Sequence, residues 1–472
     1  MAILVERRGL GDDLVRRVVG EEYPALCAAA EESGRSVPGS VARAVERFLA
    51  CGDVRAGFAW LTCEDCGVHR LVPFSCKVRA LCSSCGGRRM ATRAARLVDR
   101  VLPAVPTRQW VLTFPWRRRL LLARRPEVLR VVVGAALEEV FAWLRERAAV
   151  ESKASAEDAE AFRTGAVTMI QRFGSSLALN PHVHALIPDG AWARRGGGSL
   201  AFVPVKPPAD EDVEALVVQI EERCEQVLAR LGYGAEDEHE DPDPEDAQAL
   251  LQAASLAGVA ALGRRAGRRV RREETHGGRA VRLPPRCAVC EGYNLHAGVR
   301  VAGRDRAGLE RICRYIARPP LGRARLEEQP DGTILLRLKT PWSDGTAAIR
   351  LTRAELVERL LALLPPPRKN DILFHGVFAG HAAWRTEIVP TPDPDRTPEH
   401  LHLRLTKAPT PSPSPSWIPW AALLWRVFEK NGVACPRCGL PMRLRTVALP
   451  PATLAILAGL DDAAARAPPL VA

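Results

Sequence analysis

Two histidines one residue apart, His182-Val183-His184, sit in an apolar stretch, LALNPHVHALIPDG at 177–190, of a chain with only 10 histidines. Successive strand side chains point to opposite faces, so this run would put His182, His184 and Leu186 on one side and Val183, Ala185 and Ile187 on the other. Neutral imidazoles projecting in parallel from a stiff strand form half of a divalent-metal site. On spacing alone the same pair could be two partly exposed strand histidines. Tyr315 is a second chemical candidate. Asp305 can cap a helix over about 306–318 that stops at Pro319-Pro320, and Leu309, Ile312, Cys313 and Ile316 form its apolar stripe. Arg311, Tyr315 and Arg318 then share the other face, where a phenol between two cations would meet phosphate oxygens. Taken alone, Tyr315 could equally be a surface tyrosine over a basic patch.

The 13 cysteines are not scattered. Cys63-Glu-Asp-Cys66 and, fifteen residues on, Cys82-Ser-Ser-Cys85 match the spacing of a four-thiolate zinc ribbon, a site that holds a fold and does no chemistry. Cys76 and His69 lie in the same segment as substitute ligands. Arg70, Lys77, Arg79, Arg88 and Arg89 would place cations on that frame, suited to phosphate contacts. Cys435-Pro-Arg-Cys438 has no matching pair near it; Cys287-Ala-Val-Cys290 could complete a second zinc site with it, or be a buried thiol pair.

The whole chain sets the bounds. With 472 residues, 47% hydrophobic and 26% charged, it is long enough for two or more packed domains. A net charge of +12 and a pI near 9.3 suit a polyanion-binding surface, with a run of arginines over 264–272 as a further phosphate-facing candidate. No apolar run approaches a membrane span, and MAILVERRGL lacks a signal-peptide core, so a cytoplasmic location, no membrane partner and free or metal-bound thiols are expected.

Periodicity predicts helices within 12–50 and over 91–103, 126–150 and 211–232. It predicts strands at 166–173 paired with 182–187, at 293–301, and at 334–340 paired with 347–352, and a buried strand or turn at 109–115. In the 293–301 strand Asn294, His296 and Arg300 share the polar face. The acidic segment 236–246 reads as a loop, and 390–416 as a Pro-rich linker. Trp110 and Trp116 are core residues or base-stacking platforms. The expected fold is α+β, with a helical and zinc-binding domain at 1–100, a helical connector at 101–160, a second domain at 161–390 and a linker with the last CxxC at 391–472.

The segments FSCKVRALCSSCGGRRM, LVDRVLPAVPTRQWVLTFPW, QRFGSSLALNPHVHALIPDG, ERICRYIARPPL, LRLKTPWSDGT and CPRCGLPMRL occur in one consistent order from about residue 45 to about residue 445. In this the chain resembles rolling-circle insertion-sequence transposases, in particular the single-tyrosine branch associated with mobile common-region elements, within the superfamily of His-hydrophobic-His endonucleases. The resemblance implies a zinc-binding domain followed by a catalytic domain with a central antiparallel sheet flanked by helices. It implies that Tyr315 nicks and rejoins single-stranded DNA through a 5′-phosphotyrosine, with Mg²⁺ or Mn²⁺ at His182 and His184 and structural Zn²⁺ at Cys63, Cys66, Cys82 and Cys85. His296 is the favoured third ligand, with Gln171 the alternative, and Arg88, Arg89, Arg311 and Arg318 are the expected DNA contacts. The better-studied branch carries two tyrosines on one helix, whereas here the position four residues after Tyr315 is Pro319. Tyr315 is then reused, or a homodimer supplies another. Two other functions are compatible with the same residues: a plasmid-type replication initiator or relaxase, and an inactive zinc-dependent DNA-binding derivative.

Overall fold

The computed structural model describes residues 3–5, 14–153, 156–234, 245–274, 283–322, 325–391 and 431–465. The Pro-rich 390–416 segment and the acidic 236–246 segment lie almost wholly outside the described residues. The chain opens with β1 (Ile3–Val5), α1 (Leu14–Glu32), α2 (Gly39–Leu49), β2 (Phe58–Thr62), β3 (His69–Pro73) and α3 (Ser83–Arg100). Next come β4 (Thr107–Thr113), α4 (Trp116–Arg124), α5 (Pro126–Glu151), β5 (Gly165–Phe173), β6 (Leu179–Pro188), β7 (Gly190–Arg194), β8 (Leu200–Pro204), α6 (Asp210–Arg230) and α7 (Ala247–Ala257). They are followed by β9 (Arg271–Glu274), β10 (Cys287–Cys290), β11 (Tyr293–Val301), α8 (Arg306–Ile316), β12 (Leu326–Glu328), β13 (Ile334–Arg337), β14 (Thr346–Leu351) and α9 (Arg353–Ala362). The last are β15 (Ile372–Gly376), α10 (Arg385–Ile388), β16 (Arg443–Ala448) and α11 (Ala452–Ala465).

The expected α+β class is what forms. Its centre is a six-stranded antiparallel sheet of order β10-β11-β4-β6-β5-β15. β6 lies inside this sheet and is covered on both faces, which is why nearly every residue from Leu179 to Pro188 is buried. Val183, Ala185 and Ile187 enter one core with Trp110, Leu112 and the apolar stripes of α5 and α6. Leu186 and Met169 face the other way, into a core with Leu97 and Val98 of α3 and Leu309, Ile312 and Ile316 of α8. A second sheet, β12-β13-β14-β9, packs with α1, α7 and α9.

Two segments sit elsewhere than sequence reading placed them. Residues 101–160 are not a helical connector alone, because Thr107–Thr113 is an interior strand of the central sheet. The C-terminal segment returns to the beginning of the chain: β16 pairs antiparallel with β2 and completes the sheet β1-β3-β2-β16.

The register of the central strands is fixed by a buried ion pair. Arg108, 1% exposed, binds Asp189, 2% exposed, through Nε and Nη2 at 2.9 Å each, and its Nη1 donates to the Ala297 carbonyl at 2.7 Å. Arg300 adds a contact to Asp189 at 2.9 Å, so β4, β11 and the end of β6 are tied at one point. Asp189→Ala leaves the Arg108 charge buried without its partner, so it should destabilise the fold by about 3–5 kcal/mol. Denaturant titration that shows less than ~1 kcal/mol would contradict this role for the pair.

Candidate active site

Antiparallel partners share a face, so the pairings Gln171↔His182, His182↔Thr113, His184↔Val111 and Val111↔His296 set these residues on the side of the sheet that carries α8. His182, His184, His296, Arg311, Tyr315 and Arg318 all line one open cleft of about 740 Å³ there. The His182 and His184 rings lie 5.0 Å apart, and the Tyr315 ring stands edge-on to His184 at 6.0 Å.

The imidazoles are held neutral. Burial pushes the His182 pKa down to about 4, with the Arg318 and Arg119 cations adding to the effect, and burial with neighbouring His182 takes His184 down to about 2. His182 Nδ1 donates to the Asn180 carbonyl at 2.8 Å, which leaves the Nε2 lone pair unprotonated. The Gln109 amide lies 2.6 Å from His184 Nδ1, while His184 Nε2 is buried without a partner. With the Gln109 carbonyl oxygen turned to Nδ1–H, the same tautomer follows, and the orphaned Nε2 fits a cation.

The third ligand is less prepared. His296 shares the cleft, but Val111 stands between it and His184 in register, and its ring lies over Gly298, where an added Cβ would be 2.8 Å from Nε2. Gln171 Nε2 donates to the Ile316 carbonyl at 2.5 Å, tying β5 to the end of α8, while its Oε1 is buried without a partner; the residue lines a neighbouring cavity and not this cleft. Among the described residues, three or more His, Cys, Asp or Glu ligand atoms converge only in two cysteine clusters.

The nucleophile candidate stands on α8 as the apolar spacing predicts. Leu309, Ile312, Cys313 and Ile316 are buried, and Asp305 caps the helix by accepting from the Gly308 amide at 2.7 Å. Tyr315 is 39% exposed, with the Arg318 guanidinium 4.5 Å and the Lys339 ammonium 4.6 Å from its ring centre. Tyr293, by contrast, is fully buried and donates to Glu225 at 2.7 Å, and Tyr23 and Tyr233 pack against hydrophobic cores. Arg311 is 74% exposed at the cleft, and Arg88 lines an adjoining groove with Arg318 and Lys339. Arg89 donates to the Lys77 carbonyl beside a third cavity. In the 264–272 run Arg265 pairs with Glu355 and Arg272 with Asp344, each at 2.9 Å, so part of that charge is neutralised within the protein. Trp110 is core, and Trp116 is 56% exposed.

The four cysteines expected to share one zinc divide between two clusters. Cys82 and Cys85 join Cys51 and Cys76; Cys63 and Cys66 join Cys435 and Cys438. The reason is local and topological together. Cys82 caps α3, its sulfur accepting from the Cys85 amide, which turns this knuckle inward, whereas Cys63 and Cys66 follow β2, whose edge partner β16 brings the last CxxC beside them. Cys287 and Cys290 stay on β10, and His69 Nδ1 accepts from the Trp60 indole instead of serving as a ligand. Sulfur separations are 3.6–3.9 Å in the first cluster and 3.4 and 3.5 Å in the second, close to the ~3.8 Å edge of a tetrahedron with Zn–S bonds of about 2.3 Å. In the buried cluster, hydrogen bonds from Cys76 and Cys82 push Cys51 down to about 6, those from Cys51 and its neighbours lower Cys85, and Cys76 and Cys82 are raised as the thiols that donate. Such a set ionises fully only around a cation.

Two family models match the chain. Residues 21–114 match the transposase zinc-binding domain, and residues 165–385 match the model described as "Putative transposase". The chain carries transposase-family domains. The zinc-binding match contains Cys51, Cys63, Cys66, Cys76, Cys82 and Cys85, and the second match contains His182, His184, His296 and Tyr315. No curated protein and no solved structure matches this chain. Among the described residues no helix is long and apolar enough to cross a membrane.

Sequence reading missed Cys51 as a ligand, since it stands alone, and Gln109, whose one signal is a polar residue amid the apolar strand TRQWVLT. Two outcomes are expected. Elemental analysis should find two zinc ions per chain, with Cys82→Ser and Cys438→Ser each losing one and retaining the other; a single ion per chain, lost in Cys82→Ser and kept in Cys438→Ser, would restore the one-site arrangement. Because His182 and His184 have folded pKa values below the ~6.5 of an exposed imidazole, they contribute stability that is present above pH about 6.5 and lost as pH falls toward about 4 for His182 and about 2 for His184. Thermal melts of a His182→Asn, His184→Asn variant should therefore show a shallower pH dependence than the parent, and an identical profile would contradict their neutral burial.

Proposed function

We propose that this chain is a single-tyrosine transposase that nicks and rejoins single-stranded DNA through a 5′-phosphotyrosine at Tyr315. One observation carries the reading: Tyr315 and the His182–His184 pair line the same cleft, with the Tyr315 and His184 rings 6.0 Å apart. The transposase-domain matches support it from an independent direction.

In the proposed reaction the Tyr315 oxygen attacks the scissile phosphorus, the bond from phosphorus to the 3′ oxygen breaks, and a phosphotyrosine forms on the 5′ end. The phenol proton leaves to solvent, and the departing 3′ oxygen takes up a proton. Phosphodiester exchange conserves the bond, so attack by a 3′-hydroxyl on the phosphotyrosine reverses the step and rejoins DNA. His182 and His184 would hold Mg²⁺ or Mn²⁺, which supplies Lewis-acid polarisation of a nonbridging oxygen. His296 could join them only by swinging its ring off Gly298. Histidine-rich ligation favours Mn²⁺, since Mg²⁺ prefers oxygen donors. Arg318 and Lys339, which flank the Tyr315 ring, place positive charge where a phenolate and a phosphate would develop negative charge. With one tyrosine in the cleft, a second strand transfer reuses Tyr315 or draws on a second protomer.

Incubation with a single-stranded element-end oligonucleotide and Mn²⁺ should give a covalent protein–DNA band in a denaturing gel. Tyr315→Phe should abolish the band and keep DNA binding within about twofold, because only the attacking oxygen is removed. His182→Ala should weaken the band at least tenfold, with partial recovery at high Mn²⁺. A full-strength adduct in Tyr315→Phe, or in excess chelator, would falsify the mechanism.

A further inference from the structure

Beside the catalytic cleft a smaller cavity opens between α3, β5 and the segment that follows α8. Arg79, Arg89, Arg93, Arg172 and Arg318 line it, with Asp371 as its acidic lining residue. Asp371 is already engaged: Arg93 binds both its oxygens at 2.8 and 2.6 Å, and Arg79 approaches at 3.5 Å. Arg172 Nη1 donates to the Ala123 carbonyl at 2.7 Å, but its Nε and Nη2 are shielded from solvent and have no hydrogen-bond partner. The Nε of Arg318 is shielded and unpartnered in the same way. Burial, then the Arg79 cation, pushes the Arg172 pKa down to about 10, so the group keeps its charge at neutral pH. Five guanidinium groups around one carboxylate repel one another, and buried donors without acceptors add a desolvation cost. An anion in the cavity would offset the repulsion among the guanidinium groups that line it.

We propose that this cavity is a phosphate subsite that takes a backbone phosphodiester of the DNA strand, one near the phosphate presented to Tyr315. The proposal rests on the reading of the cleft as a DNA-cleaving site. Arg318 and Phe173 line both spaces, so a strand leaving the cleft passes the mouth of the cavity. Its open space of about 90 Å³ admits a phosphate group and its waters but no duplex. Guanidinium groups such as those lining the cavity match phosphate oxygens in geometry as well as charge.

The test uses the full-length, zinc-loaded chain with Tyr315→Phe, so that binding is read without cleavage. A labelled dT20 oligonucleotide is titrated across a NaCl series, and Arg172→Met is compared with its parent. The expected result is about tenfold weaker binding, a log–log salt slope shallower by about 0.7, and a melting temperature of the DNA-free protein no lower than the parent's. Arg89→Gln should shift affinity and slope in the same direction. Unchanged affinity and slope would overturn the proposal. So would weaker binding with an unchanged slope and a lower melting temperature, which marks a merely structural arginine. Inorganic phosphate is tested at constant ionic strength: stabilisation by phosphate that Arg172→Met removes, with no change in the DNA salt slope, would make this a free-anion site and overturn the strand assignment. Because every readout here is binding or melting, absence of the Tyr315 adduct would overturn the nicking reading without altering this result.

Discussion

Side chains on β6 must alternate, and Val183, Ala185 and Ile187 can be buried under α5 and α6 only if His182, His184 and Leu186 face the other way. That constraint places two imidazoles on the α8 side of the sheet before any ligand is considered. A slip of one residue would bury both rings among aliphatic side chains and send Val183 into the cleft. The Arg108–Asp189 pair opposes such a slip, since it joins the strands on which Gln109, the histidine pair and His296 stand. Stability and chemistry therefore rest on the same register.

Tyr315 reaches this face through a chain of packing that begins at a cysteine cluster. Cys82 and Cys85 start α3; further along, Ala94, Leu97 and Val98 of that helix pack with Leu309, Ile312 and Ile316 of α8. Arg306, the first residue of α8, donates to the Val98, Leu102 and Pro103 carbonyls at the end of α3. Gly86 permits the close approach, because a Cβ there would lie 2.7 Å from Pro319 just beyond α8. A zinc ion at Cys51, Cys76, Cys82 and Cys85 would thus support the helix that carries Tyr315 from a distance.

What could be read from the sequence followed from short periods. The β5–β6 hairpin and the Asp305-capped helix formed as expected, and the shared face of His182 and His184 follows from strand alternation; His296 joins that face only through β4, which pairs with both β6 and β11. The cysteine pairing could not be read that way. Any two CxxC knuckles are chemically interchangeable, and β16 pairing with β2 makes the choice, bringing Cys435 to Cys66 and Cys438 to Cys63 across 369 and 375 residues. Arg172 and Gln109 were illegible for a related reason: their significance lies in which polar atoms burial leaves without partners, a property of the packed chain.

The proposed reaction needs a divalent ion at the His182–His184 pair, on the Tyr315 side of the sheet. Anomalous diffraction at the manganese edge from crystals soaked in Mn²⁺ tests it most directly. A peak within about 2.0–2.3 Å of Nε2 of both histidines, on the Tyr315 side of the sheet, is the expected result. Manganese bound elsewhere with that pair empty would contradict it.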